Sequence, residues 1–242
     1  MNNKELAEKI VLWIRDTVLA SNCKGVVIGI SGGVDSSVLA VLCQRAFPQN
    51  TLGVIMPCYN NHTEAEHAQE LAKQFSMPTR IVVLDSVFDA LLKVLPSNKA
   101  EPVIEQVAKG NLKARLRMVV LYYFANQFNY MVVGSSNSSE LSIGYFTKYG
   151  DGGVDIMPLG SLVKRQIREL ARFLCIPQQI IDKPPSADLW EGQTDEEELG
   201  FSYEELDRYL VNGKADDELK KKIESMMATS NHKRQPPPVA NL

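Results

Sequence analysis

The residues best suited to chemistry form a short run, Gly29-Ile-Ser-Gly-Gly-Val-Asp-Ser36, between an apolar segment and a helical one. Glycines allow backbone amides to approach a polyphosphate closely, and the amides that open the next helix also favour such an anion. The run has neither the lysine of a Walker A loop nor the glycine spacing of a dinucleotide-binding turn. Asp35 lies within it instead, and a carboxylate among phosphates requires a divalent cation between them. The run therefore predicts a phosphate-binding loop in which Asp35 is a Mg²⁺ ligand.

The composition of the chain excludes several classes of protein. Among 242 residues, 26 Lys and Arg stand against 29 Asp and Glu, a net charge of −3 that argues against nucleic-acid binding. The longest apolar run, 118–125, is too short to cross a bilayer, and the N-terminus has no apolar signal core. The four cysteines are scattered without metal-ligand spacing. We therefore expect a cytoplasmic protein that has no nucleic-acid partner and no membrane association.

The elements that must position the phosphate loop follow from hydrophobic periodicity. The pattern predicts strands at 25–30, 51–56, 80–84 and 130–133, and helices at 4–20, 37–47, 64–75, 112–128 and 161–174, the last capped by Ser161. This alternation predicts an α/β fold with a Rossmann-like parallel sheet flanked by helices. Two short helices, at 202–211 and 215–228, would add a helical C-terminal extension.

Two segments between these elements do not fit either period. The glycine-rich stretch 134–160 is too long for an ordinary connection, and loops of that length are usually functional. The stretch 182–200 is rich in proline and then acidic, and we expect it to be a mobile loop. Within these segments, residues 135–155 and 183–200 are candidates for closing over a substrate.

The motif Ser31-Gly-Gly-Val-Asp-Ser36 resembles the pyrophosphate-loop signature of the ATP pyrophosphatases. Those enzymes cleave ATP between its α- and β-phosphates and adenylate an oxygen nucleophile. Three further segments, 111–118, 134–153 and 183–192, closely resemble the NAD synthetase family, and the resemblance extends from the first helix to His232-Lys233. It implies an adenine nucleotide alpha hydrolase-like fold.

The resemblance also implies a two-step amidation, the last step of NAD biosynthesis. The nicotinate carboxylate of deamido-NAD would attack the α-phosphate of ATP, giving an adenylate and pyrophosphate. Ammonia would then displace AMP and leave the amide of NAD. The family implies Mg²⁺ as cofactor, ATP as co-substrate and a homodimer. Because the phosphate loop arrives by residue 31, we expect residues 1–242 to be a single NAD synthetase domain without a glutaminase domain, using ammonia directly.

The resemblance assigns individual residues to these ligands. Asp35 and Lys164 would be the catalytic residues, offsetting charge on the leaving pyrophosphate, and Asp35 and Glu140 would hold the metal. Because the substrate carboxylate is already a nucleophile, we expect no serine or cysteine nucleophile. ATP would contact Gly29, Ile30, Ser31, Gly32, Gly33, Val34, Asp35, Ser36, Ser135, Lys164 and Ser186, the family often having Thr at the positions of Ser135 and Ser186. Deamido-NAD would contact Arg115, Lys148, Asp155, His232 and Lys233.

Other interpretations of the same residues stay open at this stage. Another adenylating pyrophosphatase, acting on tRNA or on a different carboxylate, would share the loop, although a tRNA enzyme is usually more basic. A nucleotide-binding module without catalysis would also share it, but it would not need two acids on separate loops. The lysines could be solvated surface charges, and 232–234 could be a basic tail. Measuring pyrophosphate release with and without deamido-NAD separates the three functions.

Overall fold

A single parallel sheet forms the centre of the fold in the computed structural model, which describes residues 1–59, 62–96, 101–190 and 192–240. Its strands are β1 (Gly25–Gly29), β2 (Thr51–Ile55), β3 (Thr79–Ile81) and β4 (Tyr130–Val132), in the spatial order β3-β2-β1-β4. Val27 of β1 aligns with Leu52 on one side and Val132 on the other. From β1 the chain adds β2 and then β3 on one side of the sheet, and it later returns to add β4 on the other side of β1. The strand order therefore reverses between β1 and β4. Ligands of open α/β sheets bind at such a point, beyond the carboxyl ends of the strands.

Helices cover both faces of the sheet. The helices α1, α2, α3 and α7 pack on one face, while α4 and α5 pack on the other. The side chains of β1 alternate accordingly: Val26 and Ile28 belong to the first core and Val27 to the second, all fully buried. The helices are α1 (Asn3–Ala20), α2 (Val34–Ala46), α3 (His62–Gln74), α4 (Asp85–Val94), α5 (Pro102–Phe128), α6 (Ser138–Ile143), α7 (Lys164–Phe173), α8 (Gln178–Ile181), α9 (Asp195–Leu199), α10 (Tyr203–Asn212) and α11 (Asp217–Thr229).

A third apolar cluster joins the C-terminal helices to the rest of the molecule. Its buried members come from α6, α9, α10 and α11 and from the turn before α10. This cluster is the predicted helical extension, and it packs beside the start of α7. The α/β fold with a parallel sheet and a helical C-terminal extension is therefore confirmed. Within the described residues, none of the helices combines the length and apolarity that crossing a bilayer requires.

Several predicted boundaries were wrong. The long helix α5 starts at Pro102 rather than at 112, because Pro at the first helical position opens the helix, while much of its first half is exposed and gives no apolar stripe. Helix α4 was not predicted. The N-cap of α7 is Val163, so Ser161 is not its cap.

The two irregular segments also contain helices that periodicity did not reveal. The stretch 134–160 contains α6, which has six residues and is too short for a helical period to show. The stretch 182–200, of which residue 191 lies outside the described residues, contains α9. Its acidic side chains occupy the first turn, where the helix dipole favours negative charge.

Candidate active site

The phosphate loop connects β1 to α2 and is held by hydrogen bonds among its own residues. The amide and hydroxyl of Ser31 lie 3.2 and 2.9 Å from the Ser36 hydroxyl oxygen. Ser36 donates to the Gly33 carbonyl at 3.1 Å, and the Gly33 amide donates to the Ser31 hydroxyl at 3.2 Å. These contacts fix a tight turn at the N-terminus of α2, where the helix amides and dipole favour an anion.

Gly32 gives the loop its shape. Its φ of +85° lies in the left-handed region, and a Cβ there would stand 2.4 Å from the Glu64 carbonyl oxygen. Gly32 therefore lets the start of α3 approach the loop. The same Glu64 forms an ion pair with Lys183, which comes from the segment 182–200 and brings that segment across the loop.

The third side of the site is α6, which follows β4. Asn137 caps this helix by accepting from the Glu140 amide at 3.0 Å, and Glu140 reaches back toward the Asn137 amide at 3.3 Å. The other end of the Asn137 side chain donates to Asp35 Oδ1 at 2.7 Å. One buried asparagine therefore fixes the helix start and the carboxylate of the phosphate loop together.

A buried ammonium lies between the two predicted metal ligands. Lys164, at the start of α7 and 2% exposed, places its Nζ 2.6 Å from Asp35 Oδ2 and 2.9 Å from Glu140 Oε1. Burial alone would lower the Lys164 pKa, but the two carboxylates raise it above the ordinary lysine value. For Glu140, burial has the opposite effect and raises the pKa to about 7, although the charge of Lys164 acts to lower it. The cluster therefore holds positive charge strongly.

Helix α10 supports this arrangement from behind. Tyr203 is 1% exposed, and its ring covers the Lys164 ammonium with the centroid 4.8 Å from Nζ. Asp207 accepts from the Ser139 hydroxyl at 2.5 Å and from the Arg165 amide at 2.8 Å. Since Ser139 itself accepts from the Lys164 amide at 3.0 Å, Asp207 ties α6 and α7 to α10.

These elements surround a cavity of about 290 Å³ at the carboxyl ends of β1 and β4. The structure brings together on its wall the predicted metal ligands and every predicted ATP contact except Gly32, including Ser135 after β4 and Ser186 from the segment 182–200. The lining residues among the predictions are Gly29, Ile30, Ser31, Gly33, Val34, Asp35, Ser36, Ser135, Glu140, Lys164 and Ser186. Several of these residues are far apart in the sequence, and it is the sheet topology that brings them close together.

The predicted deamido-NAD contacts lie elsewhere and form connected pairs. Arg115 donates from Nε and Nη2 to the Lys148 carbonyl at 3.3 Å each, and Lys148 donates to the His232 carbonyl at 2.6 Å. Lys233 donates to the carbonyls of Gly144 and Phe146, 2.7 and 2.9 Å away. The C-terminal segment is thus bound to the loop that follows α6 and does not hang free as a basic tail.

Asp155 stands apart from these four residues at the edge of the sheet. Its carboxylate accepts from the Val132 amide at 2.8 Å and from the Tyr122 hydroxyl at 2.9 Å. Residues near it extend the sheet, since Val133 and Ile156 form a parallel bridge. In this structure Asp155 therefore holds the end of β4 to α5.

Four residues of the site were missed from the sequence. They are Asn137, Asp195, Tyr203 and Asp207, each fully or almost fully buried. The spacing Asn137-Ser-Ser-Glu140 is a capping-box signature and could have found the first. The other three lie in acidic, exposed-looking stretches, and no pattern in those stretches indicates burial.

Known proteins are similar to this chain over almost its whole length. The family model described as NAD synthase matches residues 6–237. The chain belongs to the NAD synthase family. The NH(3)-dependent NAD(+) synthetase of Syntrophomonas wolfei is 46% identical over 241 residues, covering 99% of this chain and 97% of that relative. As a member of this family, the chain is an enzyme of the ligase class. The resemblance to the NAD synthetase family that the sequence indicated is therefore confirmed.

Solved structures of this NAD synthase fold agree over the whole chain. The NMN synthetase of Francisella tularensis superposes with a TM-score of 0.93 at 36% identity, covering 100% of both chains. The NH3-dependent NAD synthetase of Campylobacter jejuni, solved in complex with the nitrate ion, superposes with a TM-score of 0.83 at 31% identity, also over 100% of both chains. The Rossmann-like α/β fold of the family is therefore shown for this chain.

Proposed function

We propose that this cavity carries out the ammonia-dependent amidation of deamido-NAD, with ATP consumed to AMP and pyrophosphate. The observation that carries the proposal is the Lys164 ammonium between Asp35 and Glu140, beside a glycine-rich loop shaped for phosphates. The close relatives named NH(3)-dependent NAD(+) synthetase support the same reaction. The chain is thus a ligase of NAD biosynthesis that uses ATP as a substrate.

The residues of the cavity suit adenylation more than acid–base chemistry. The substrate carboxylate needs no base to attack the α-phosphate, so positioning and charge stabilisation supply most of the catalysis. We assign the ATP phosphates to the loop 29–36 and to Lys164, with Ser135 and Ser186 donating hydroxyl hydrogen bonds. The Lys164 ammonium then offsets the charge that develops on the departing pyrophosphate.

The two carboxylates of this cluster also fit Mg²⁺. Asp35 Oδ2 and Glu140 Oε1 both contact the Lys164 ammonium, so the two carboxylates point toward the same place. Hard carboxylate oxygens are the ligands that Mg²⁺ prefers. Mg²⁺ commonly uses one or two carboxylates and completes its shell with substrate phosphates and waters. When bound there, the ion would neutralise phosphate charge. We propose Asp35 and Glu140 as its ligands.

We propose that deamido-NAD binds along the surface formed by Arg115, Lys148, His232 and Lys233, with Asp155 at the sheet edge. Three of these side chains are cationic, which suits a dinucleotide with two phosphates. Their hydrogen bonds to backbone carbonyls, rather than to carboxylates, leave the positive charge of the surface uncompensated within these contacts. These roles carry over from the family resemblance.

A second candidate substrate is the mononucleotide. The chain superposes with a TM-score of 0.93 on a protein named NMN synthetase, against 0.83 on one named NAD synthetase. Amidation of nicotinate mononucleotide would use the same phosphate loop and the same cluster around Lys164. The two substrates differ only in the adenylyl half of the dinucleotide.

Pyrophosphate release tests the function. With ATP and Mg²⁺, we expect release that depends strictly on deamido-NAD, followed by NAD formation on addition of ammonium. A preference for nicotinate mononucleotide would favour the second candidate, dependence on another acceptor would favour a different adenylating enzyme, and no release would favour a binding module. Asp35→Asn should abolish release without altering the circular dichroism spectrum, and full residual turnover would contradict the role of Asp35.

We further propose a cytoplasmic homodimer in which residues 1–242 form a single domain that takes ammonia directly. The relatives' names support ammonia as the donor, and their lengths match this chain almost completely. Purified protein should therefore make NAD with ammonium but not with glutamine as the only nitrogen source. Glutamine-driven synthesis by the pure protein would contradict this proposal.

A further inference from the structure

One carboxylate on the cavity wall is not explained by contacts with ATP or a metal. Asp195 is 4% exposed, and its Oδ2 accepts from the Tyr203 hydroxyl at 2.9 Å. Its Oδ1 is buried and receives no hydrogen bond from the described residues, although Asp195 lines the cavity. Because an unpaired buried acceptor is costly, its retention in the wall of a substrate cavity points to a ligand that donates hydrogen bonds.

The neighbouring donors are already engaged. Tyr145 lines the cavity, but its hydroxyl donates to Glu198 Oε2 at 2.6 Å. The Lys164 ammonium is bound by Asp35 and Glu140. Burial, followed by the charge of Asp195 and by hydrogen bonding to Glu198 and Asp195, raises the pKa of the Tyr145 hydroxyl, so this hydroxyl lies within reach of both acids. Because its single proton is donated to Glu198, the Asp195 Oδ1 atom is open to a donor from outside the chain.

The surroundings favour a small cation. Acidic side chains outnumber basic ones on the described cavity wall, where Asp35, Glu64, Glu140, Asp151, Asp188 and Asp195 face Arg117, Lys164 and Lys183. Among the described residues there is no group of three or more acidic, His or Cys side chains that suits a metal ion. Tyr145 also lines the cavity, and an ammonium ion binds to aromatic ring faces as well as to carboxylates. The ring of Tyr203 is already covered by Lys164, and its hydroxyl holds the Asp195 carboxylate in place.

A second acid, which is exposed to solvent, also contacts Tyr145. Glu198 is exposed, the Tyr145 hydroxyl is bound to it, and the Tyr145 side chain lines the cavity in which Asp195 lies. An exposed acid at the outer end of this line attracts cations from solvent. Tyr145 therefore lies close to both an exposed acid, Glu198, and a buried acid, Asp195.

We propose that Asp195, together with Tyr145 and Tyr203, forms the subsite that binds the ammonium substrate, a proposal that rests on the function given above. Ammonium transfers one proton to Asp195 Oδ1, so that an N–H bond breaks and an O–H bond forms. The resulting ammonia attacks the acyl carbon of the adenylate, a C–N bond forms, and the C–O bond to AMP breaks. The nitrogen loses its surplus proton to solvent. Burial raises the pKa of Asp195, which suits a proton acceptor.

The test compares Asp195→Asn with wild type in two half-reactions. We expect the apparent KM for ammonium to rise at least tenfold, while deamido-NAD-dependent pyrophosphate release without ammonium stays within twofold of wild type. Hydroxylamine, an uncharged nucleophile at pH 8, should lose much less activity than ammonium does. Glu197→Gln is the matched control, because Glu197 is an exposed acid on the same helix and does not line the cavity.

A binding measurement on the wild-type protein makes the test independent of how the variant folds. With deamido-NAD and a non-hydrolysable ATP analogue present, ammonium chloride should raise the Tm more than sodium chloride does at equal concentration. Equal shifts, an unchanged ammonium KM in Asp195→Asn, or an equal loss with hydroxylamine would each overturn the subsite. Failure of the proposed function is a separate result, because it would appear as wild-type protein that releases no pyrophosphate with deamido-NAD.

Discussion

At the scale of single residues, Lys164 matters most to the candidate site. Its ammonium is almost fully buried and bonds to two carboxylates whose side chains are 16% and 15% exposed. Removing one partner from such a cluster leaves uncompensated buried charge, which costs roughly 3–5 kcal/mol when burial is complete. Because the acids are partly exposed, the cost at this site should lie at or just below the lower end of that range.

We therefore expect Lys164→Met to lower the free energy of unfolding by about 2–3 kcal/mol, because Asp35 and Glu140 then repel each other. Mg²⁺ should recover part of the loss in the variant and change the wild type little, since Lys164 already supplies a cation there. Urea unfolding with and without Mg²⁺ measures both effects. Lys221→Met, at an exposed position of α11, serves as control, and equal stabilities of the two variants would contradict the interpretation.

At the scale of elements, the site depends on how α6, α7 and α10 are joined. Asp207 of α10 accepts from Ser139 of α6 and from the Arg165 amide of α7, so one carboxylate fixes two helix starts. Those starts carry Glu140 and Lys164. The C-terminal helices therefore take part in forming the cavity. Among the described lining residues, Asp195 of α9 comes from these helices, while α10 and α11 act from behind.

Asp207→Asn should disturb catalysis through position. An amide replaces one acceptor oxygen with a donor that faces the Arg165 amide or the Ser139 hydroxyl, which costs about 1–3 kcal/mol. We expect kcat for pyrophosphate release to fall at least tenfold with less than threefold change in the KM for deamido-NAD. Asp216→Asn, which alters only the cap of α11, is the control. A change confined to the KM would argue against a positioning role.

The start of α10 provides a pH-dependent contribution to stability. Hydrogen bonds from the Ser202 amide and hydroxyl, both 2.8 Å long, lower the pKa of Glu205 below its ordinary value of 4.5. A lowered carboxylate pKa stabilises the fold above the unfolded value, and this stabilisation disappears as the pH falls through the folded value. Wild type should therefore be more stable than Glu205→Gln at pH 6, and this difference should shrink steadily as the pH falls below 4.5. Unfolding at several pH values checks this, with Glu204→Gln as the neighbouring control.

At the scale of the whole molecule, one group of exposed apolar side chains lies on α4 and on the first turns of α5. Val87, Val94, Val103, Ile104 and Val107 are each 45% exposed or more. Large exposed apolar patches often mark an interface. It is the surface that we assign to the proposed homodimer.

We expect the double variant Ile104→Glu and Val107→Glu to be monomeric at micromolar concentration, because charge is costly inside an apolar interface. Acidic residues near the start of α5 suit the helix dipole, so the fold should persist. Light scattering gives the mass, and Val211→Glu, an exposed apolar position on α10, controls for surface charge. A monomeric wild type, or a dimeric double variant, would contradict the assignment.

The sequence by itself determined the α/β class, the phosphate loop and the family, because these depend on local patterns and on motifs contiguous in the chain. The β1 to α2 turn is such a pattern, since the glycines and the following helix lie within a few residues. Lys164 and Glu140 were also predicted as site residues, but only because the chain resembles the NAD synthetase family.

The tertiary structure alone decided which residues meet. Asp35, Glu140 and Lys164 come from three elements, and the reversal of strand order beside β1 brings them within hydrogen-bonding distance. Burial of Asp195 and Asp207 was equally invisible, since a charged residue in a polar stretch has the same sequence signature whether solvent or another helix covers it. Local patterns encode local geometry, whereas long-range packing sets the charge balance of a cavity.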